Sequence, residues 1–464
     1  MSQLLLAFYG DDFTGSTDAL EQLTLAGIRA ALFIEPPSPT HLRKFPNLQA
    51  VGVAGKTRSL PPNAMEKELR PAFKKLKALG TRHVHYKVCS TFDSSPKIGS
   101  IGRAINVGTE IFRAPFVPLL AAAPSLGRYT IFGTHFARFG IGSGGSIHRL
   151  DRHPSVSRHP VTPMTEADLR LHLAKQTKKK IALFDILTVA LPEAEARTAF
   201  KKLLAEKPEV VLFDALTDAH LQRIGRLIDG FASAKRPLFS VGSSGIEAAL
   251  GAFFYLCSSR RQEALAKKSE IGNRKSEIDL SLLTSAPRKQ ILVGSGSCSP
   301  VTRQQIALAL KHGFAEVPLD VAALASDKKS GAEIQRAAGL AGRLLQKGRS
   351  VIVHTGRHGP NKQFMVNFKG RTAPLLGTAL GKILRGALGK NRVQRLCIAG
   401  GDTSSYAARA LGIEALEMVA PLTPGAPLCR VFAPNSAADG CEIVFKGGQV
   451  GGENYFEIVK RGKL

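Results

Sequence analysis

The chain has 464 residues, 44% hydrophobic and 22% charged, enough to build well-buried cores for two to four domains and too apolar to be disordered over most of its length. Its 64 Lys and Arg against 36 Asp and Glu leave a formal net charge of +28. That charge admits nucleic acid, nucleotide phosphates or small acidic substrates as partners without choosing among them. No apolar run nears the roughly 20 residues of a membrane span; the nearest, 114–123, contains Pro115 and Pro118. The run 4–9 is too short for a secretory signal and leads straight into Asp11 and Asp12, so a cytoplasmic location is expected. The six cysteines are far apart and form no C-x-x-C pair, which favours reduced thiols over zinc or redox sites.

Short apolar runs alternate with amphipathic stretches, the pattern of α/β architecture. A strand is expected over 4–9. A helix then carries Ala19, Leu20, Leu23 and Ala26 on one face and ends at Gly27. Further strands are expected over 30–34, 50–54, 83–88, 129–132, 181–186, 210–213 and 238–241, with helices between several of them. Near-continuous apolar strands need cover on both faces, which points to a parallel sheet. The texture turns polar from Ser258 to Ala286-Pro287, giving an N-terminal domain 1–258, a linker 259–288 and a C-terminal domain 289–464. The second pattern places strands over 290–293, 351–355, 395–399 and 442–445, and helices near 300–311, 331–347, 374–388 and 403–411. The expected fold class is α/β: two domains with mainly parallel sheets and a cleft between them.

In the first domain the chemistry is densest directly after the first strand, in Asp11-Asp12-Phe13-Thr14-Gly15-Ser16-Thr17-Asp18. Open α/β sheets hold ligands at carboxyl ends of strands. One carboxylate is enough to cap the following helix, so the pair leaves a spare acid for general-base or metal-facing work. Lys56-Thr57-Arg58-Ser59 and Lys87-Val88-Cys89-Ser90 follow two more strands. Arg58 suits a carboxylate in bidentate fashion and Lys87 supplies a point charge. Either cation alone reads as solvated surface; together, beside the acids, they suggest a small polyhydroxy-acid pocket. His153 and His159 lie in a proline-bearing loop without a metal-binding spacing and read as structural or exposed.

In the second domain two strands run into small polar turns and then helices: Gly294-Ser295-Gly296-Ser297-Cys298-Ser299, followed by Pro300, and Gly400-Gly401-Asp402-Thr403-Ser404-Ser405. Backbone N–H groups of such turns converge on anions, reinforced by the helix N-terminus. A third turn, Lys446-Gly447-Gly448-Gln449-Val450-Gly451-Gly452, either walls a nucleotide or turns the chain. Two other matches are set aside. Gly55-Lys56-Thr57 lacks the first glycine of a phosphate-binding loop, and Gly140 to Gly145 fits G-x-G-x-x-G without a strand–helix context.

Taken in order, these motifs, with Lys87 to Ser94 and Arg158 to Met164, resemble the four-carbon acid sugar kinase family, whose members phosphorylate acids such as threonate, erythronate or 3-oxo-tetronate with ATP. The resemblance runs from the first strand to Gly452. It implies an N-terminal substrate domain and a C-terminal nucleotide domain. By position it makes Asp11, Asp12, Thr14, Arg58, Lys87 and Ser90 the acid-sugar site, with Asp12 ahead of Asp11 as the catalytic acid–base. Ser295, Ser297, Ser299, Gly400, Gly401, Asp402, Thr403 and Gly448 become the ATP site, with Mg²⁺ carried on the phosphates and no protein metal site. The family's Gly-Glu-Thr-Ser-Gly reads Gly401-Asp402-Thr403-Ser404-Ser405 here, and its Gly-Asn-Ile-Gly reads Gly99-Ser100-Ile101-Gly102; both changes bear on the substrate more than on the reaction. Expected partners are a sugar acid and ATP, without nucleic acid or membrane, in a monomer or homodimer. The alternatives are a basic nucleic-acid-binding protein and a non-catalytic sugar-acid sensor on the same fold.

Overall fold

The computed structural model describes residues 4–140, 144–159, 161–266, 290–297, 299–356, 372–389, 391 and 393–462, with the side chains of 257–266 and 402 left aside. The first half opens with β1 (Leu6–Gly10), β2 (Ala30–Phe33), β3 (Ala50–Ala54), β4 (His83–Lys87) and β5 (Val117–Leu120). A flap follows, made of β6 (Arg128–Ile131), β7 (Thr134–Arg138) and β8 (Ile147–Arg149). Then come β9 (Ile181–Phe184), β10 (Val210–Phe213) and β11 (Leu238–Gly242). The second half contributes β12 (Leu292–Ser295), β13 (Ala315–Pro318), β14 (Val351–His354), β15 (Arg395–Ala399), β16 (Ala415–Thr423), β17 (Ala426–Phe432) and β18 (Glu442–Lys446).

The two expected sheets are one. Fifteen strands run in the order β13-β14-β12-β15-β18-β17-β16-β2-β3-β1-β4-β11-β5-β10-β9. All pairs are parallel except β18–β17, β17–β16 and β16–β2, so the halves join through an antiparallel seam at Ala415↔Phe33 and Leu416↔Leu32. Alternate residues of each strand face opposite layers, and helices cover both, the arrangement of a mainly parallel α/β sheet. Leu6 and Phe8 of β1 face the helices Phe13–Leu25, Asp218–Asp229 and Gly245–Ala266; Ala7 and Tyr9 face Pro62–Ala78 and Ile101–Phe112. The helix Gly245–Ala266 runs beyond residue 258 into the segment read as a linker; 267–289 lie outside the described residues.

Both halves repeat one topological device. Around β1 the order is β2-β3-β1-β4, and around β12 it is β13-β14-β12-β15. In each, the chain leaves the first strand to build on one side and later returns to the other. The loop after that first strand therefore enters the crevice where ligands bind in open α/β sheets. The acid pair follows β1 and the Gly/Ser turn follows β12.

One expected strand lies elsewhere. The strand expected over 129–132 is realised as β6, but it belongs to the flap, a separate antiparallel sheet inserted between β5 and β9. Its alternating burial fits a sheet with one wet face, and Phe132 (φ 50°) and Gly133 (φ 79°) form the two-residue turn to β7. The apolar run 114–123 contains β5, an interior strand despite Pro118, whose ladder to β11 begins only at Leu119.

The halves also meet at Glu21, which accepts a hydrogen bond from the Gly425 amide at the β16–β17 turn (2.6 Å). Burial, then the neighbouring Asp18 charge, pushes the Glu21 carboxyl from 4.5 up to about 8. A carboxyl raised on folding gives stability that is whole below about 4.5 and lost as pH rises through about 8. Glu21→Gln keeps an acceptor for Gly425 and removes the titration. Its melting temperature relative to wild type is expected to climb between about pH 5 and 8; parallel melting curves across that range would contradict this.

Candidate active site

Asp12 is the N-cap of the helix Phe13–Leu25, its Oδ1 accepting the Gly15 amide (2.9 Å) and its Oδ2 the Thr14 hydroxyl (2.6 Å). Asp11 is the spare acid. Arg58, in a single 3₁₀ turn after β3, clamps both: Nη2 donates to Asp11 Oδ1 (3.0 Å) and Asp12 Oδ1 (2.7 Å), and Nε to Asp11 Oδ2 (3.3 Å). The pair is thereby split. Burial, against the pull of Arg58 and with the push of Asp12, raises Asp11 to about 6. Burial would also raise Asp12, but Arg58, the Thr14 hydroxyl, Lys87 and the Gly15 amide outweigh it and hold its carboxyl below the usual range. At neutral pH Asp12 is ionised.

Lys87, at the end of β4, is almost wholly buried; its Nζ lies 3.4 Å from Asp18 Oδ2 and donates to the Val88 carbonyl (3.0 Å). Gly15 makes room for this arrangement, since a Cβ there would stand 3.0 Å from Lys87 Nζ and 2.5 Å from Asp12 Oδ1. The Ser90 carbonyl accepts from His135 Nε2 (2.8 Å), whose Nδ1 pairs with the Thr130 hydroxyl (2.9 Å). Burial holds that imidazole down at about 4, so it stays neutral as it ties the flap to the loop after β4.

In the second half three turns converge. A Cβ on Gly400 (φ 140°) would lie 2.4 Å from Thr403 Oγ1 and 3.4 Å from the Ser297 amide; one on Gly448 would lie 2.9 Å from Ser297 Oγ. Glycine is what allows this approach. The hydroxyls of Ser295, Ser299 and Thr403 are buried there without a hydrogen-bond partner. Unsatisfied buried donors are rare, and beside the N-termini of the helices Pro300–Lys311 and Gly401–Leu411 they fit phosphate oxygens. Thr302 donates to the Gly448 carbonyl (3.1 Å), and Gln305 donates to those of Val450 (3.0 Å) and Gly452 (2.9 Å), bracing the third turn. Neither residue was anticipated from the sequence, because a polar residue on an amphipathic helix gives no local sign of a partner some 145 positions away. Among the described residues no cluster of three or more His, Cys, Asp or Glu is arranged for a metal ion.

A cleft of about 430 Å³ brings both halves together. Of the residues singled out in the sequence, Asp12, Thr14, Arg58, Lys87, Ser90, Gly401 and Gly448 line it. Asp11 lies behind them, in a small cavity with Lys56, Ser59 and Tyr406. Ser295, Ser297, Ser299, Gly400 and Thr403 stand outside the cleft lining at the converging turns, and the Asp402 side chain lies outside the described ones. The flap adds Arg128, Arg138, Phe139 and His153, and the following loop His159. The two histidines are not merely exposed. His153 Nδ1 accepts the amides of Ser155 and Val156 (3.2 Å each), and His159 Nδ1 accepts that of Thr162 (3.1 Å), so each is fixed with its proton on Nε2.

Residues 6–250 match the family model of a sugar-binding N-terminal domain and residues 292–456 that of a nucleotide-binding C-terminal domain. The chain is 41% identical to 3-oxo-isoapionate kinase of Paraburkholderia graminis, over 99% of this chain and 95% of that protein. It is 30% identical to 3-oxo-tetronate kinase of Methylobacterium radiotolerans, over 98% of each. Among solved structures, a Salmonella typhimurium LT2 protein aligns with a TM-score of 0.73 at 24% identity over 99% of each chain. A Haemophilus influenzae DUF1537 protein aligns with 0.67 at 22%, over 98% of this chain and 99% of that one. At those identities the structural likeness concerns the fold. Full-length kinase relatives do not favour the nucleic-acid-binding and sensor alternatives. With a sugar-binding half carrying the acid pair and a nucleotide-binding half carrying the glycine turns, the chain belongs to the four-carbon acid sugar kinase family.

Proposed function

We propose that this kinase transfers the terminal phosphoryl group of ATP, bound with Mg²⁺, to a terminal hydroxyl of a 3-oxo sugar acid in the cytoplasm. The carrying observation is the shared cleft, in which Asp12 and Lys87 of one half face Gly401 and the 447–450 turn of the other. The substrate half runs through the helix Gly245–Ala266 and the nucleotide half contains β12 onward. The relatives named above act on 3-oxo acids, which makes that class the first choice.

Phosphoryl transfer passes through a loose transition state, so positioning and charge neutralisation matter more than a strong base. An Asp12 held ionised suits that demand. It accepts the hydrogen bond of the attacking hydroxyl, orients its oxygen and takes its proton as the new O–P bond forms and the bond to ADP breaks. Thr14 and Ser90 offer hydroxyls to the sugar, and Lys87 offsets developing negative charge. Arg58, expected from the sequence to grip the substrate carboxylate, instead donates to Asp11 and Asp12 and fixes them in place. Ser295, Ser297, Ser299, Gly400, Gly401, Asp402, Thr403 and Gly448 form the nucleotide side.

ADP release measured across 3-oxo-isoapionate, 3-oxo-tetronate, threonate and erythronate tests the reading. The highest kcat/KM is expected on a 3-oxo acid. Absence of acid-dependent ADP release across the panel would reject the reading.

A further inference from the structure

The cleft contains more cation than its own acids neutralise. Arg58 is taken up by Asp11 and Asp12, and Lys87 stands against Asp18. Arg128, the first residue of β6, is different. It is 5% exposed and lines the cleft. Its Nη1 donates to the carbonyls of Leu126 (3.0 Å), Gly127 (3.3 Å) and Arg138 (2.9 Å), which lock the guanidinium plane without cancelling its charge. Nε is buried without any acceptor. Asp93 and Asp18 are the carboxylates whose fields reach it, and neither forms an ion pair with it. Next to it, Arg138 spends Nη1 on the Gly145 carbonyl (2.9 Å), and His153 is fixed as a neutral ring. A buried, rigid guanidinium with an unused N–H is costly unless a ligand anion completes it.

We infer that Arg128 binds the carboxylate of the sugar acid, and that this residue makes the enzyme select acids over neutral sugars. The inference rests on the acid-sugar reading above and adds to it the end of the cleft at which the acid group lies: the flap end. The acceptor hydroxyl is then directed toward Asp12 and the nucleotide half. The carbonyls on Nη1 hold the planar guanidinium in one orientation with Nε unpaired, a directional donor that a lysine does not reproduce.

The test compares 3-oxo-isoapionate or 3-oxo-tetronate, whichever wild type phosphorylates faster, with the primary amide of the same compound. Wild type is expected to prefer the acid by roughly 10²-fold in kcat/KM, chiefly through KM. Arg128→Lys and Arg128→Gln are expected to erase most of that preference by losing the acid while changing KM for the amide less than about 3-fold. ADP affinity is expected to stay at the wild-type value in both. A merely structural role would weaken acid and amide alike and leave their ratio intact. Equal wild-type KM values for acid and amide would overturn the inference without any variant, which covers the case in which Arg128→Gln does not fold. Loss of ADP affinity with the acid preference retained would also overturn it, by assigning Arg128 to the nucleotide. If wild type releases ADP with none of the acids, the acid-sugar reading falls and takes this inference with it.

Discussion

Asp12→Asn is expected to lower turnover by roughly 10²–10⁴-fold while leaving ADP affinity at the wild-type value. Asparagine caps a helix about as well as aspartate, so the Gly15 amide keeps its acceptor and the fold is expected to survive. What is lost is charge. Arg58 keeps only Asp11 as an anionic partner, and the acceptor hydroxyl loses the ionised oxygen that orients it. The nucleotide turns follow β12, β15 and β18, strands other than the one that leads into Asp12, so ADP binding is expected to survive. Asp11→Asn provides the control, because Asp11 is absent from the lining of the large cleft and is held by Arg58; its loss is expected to be smaller. Steady-state kinetics with calorimetric ADP titration decide the matter. Turnover within a few-fold of wild type in Asp12→Asn would remove Asp12 from the transfer step.

Gly400→Ala is the complementary result: ADP affinity is expected to fall by roughly 10–10²-fold with sugar-acid binding preserved. At φ 140° an L side chain is strained, and its Cβ would press on Thr403 Oγ1, one of the buried hydroxyls left without a partner. Relief requires Gly400 to rotate or Thr403 to move, and either spoils the approach of the two turns. The strain, about 1–3 kcal/mol, is small against the stability of a domain, so folded protein is expected. Calorimetry with ADP, and separately with the sugar acid, reads both halves of the prediction. Unchanged ADP affinity would detach the Gly400 turn from the nucleotide.

The placement of polar residues at the ends of the first strands was legible because it is local. An Asp-Asp pair after a buried strand, or a Gly/Ser turn before a helix, carries its meaning within a few residues, and those turns do occupy the two crevices. Arg58 was legible as a cation but not as a clamp, since its partners lie about 46 positions earlier. Arg128 was not singled out at all. One arginine in a basic chain has no distinguishing neighbour; its burial comes from carbonyls on both sides of a hairpin and from the loop over it. The joining of the sheets was equally hidden, because the β16–β2 seam consists of two backbone pairs between segments some 380 residues apart. Glu21 has no local sign of its partner either, because the Gly425 amide that it accepts lies some 404 positions away.

The flap is an insertion between β5 and β9 and contributes no strand to the central sheet. The residues proposed for phosphoryl transfer and nucleotide binding, by contrast, follow strands of that sheet. Selection can therefore rewrite the flap, lengthening a loop or exchanging Phe139 or His153, and change which acid is accepted while the phosphoryl-transfer geometry is inherited intact. Grafting a flap from one family member onto another is the corresponding engineering route, and its boundaries are the carboxyl end of β5 and the amino end of β9.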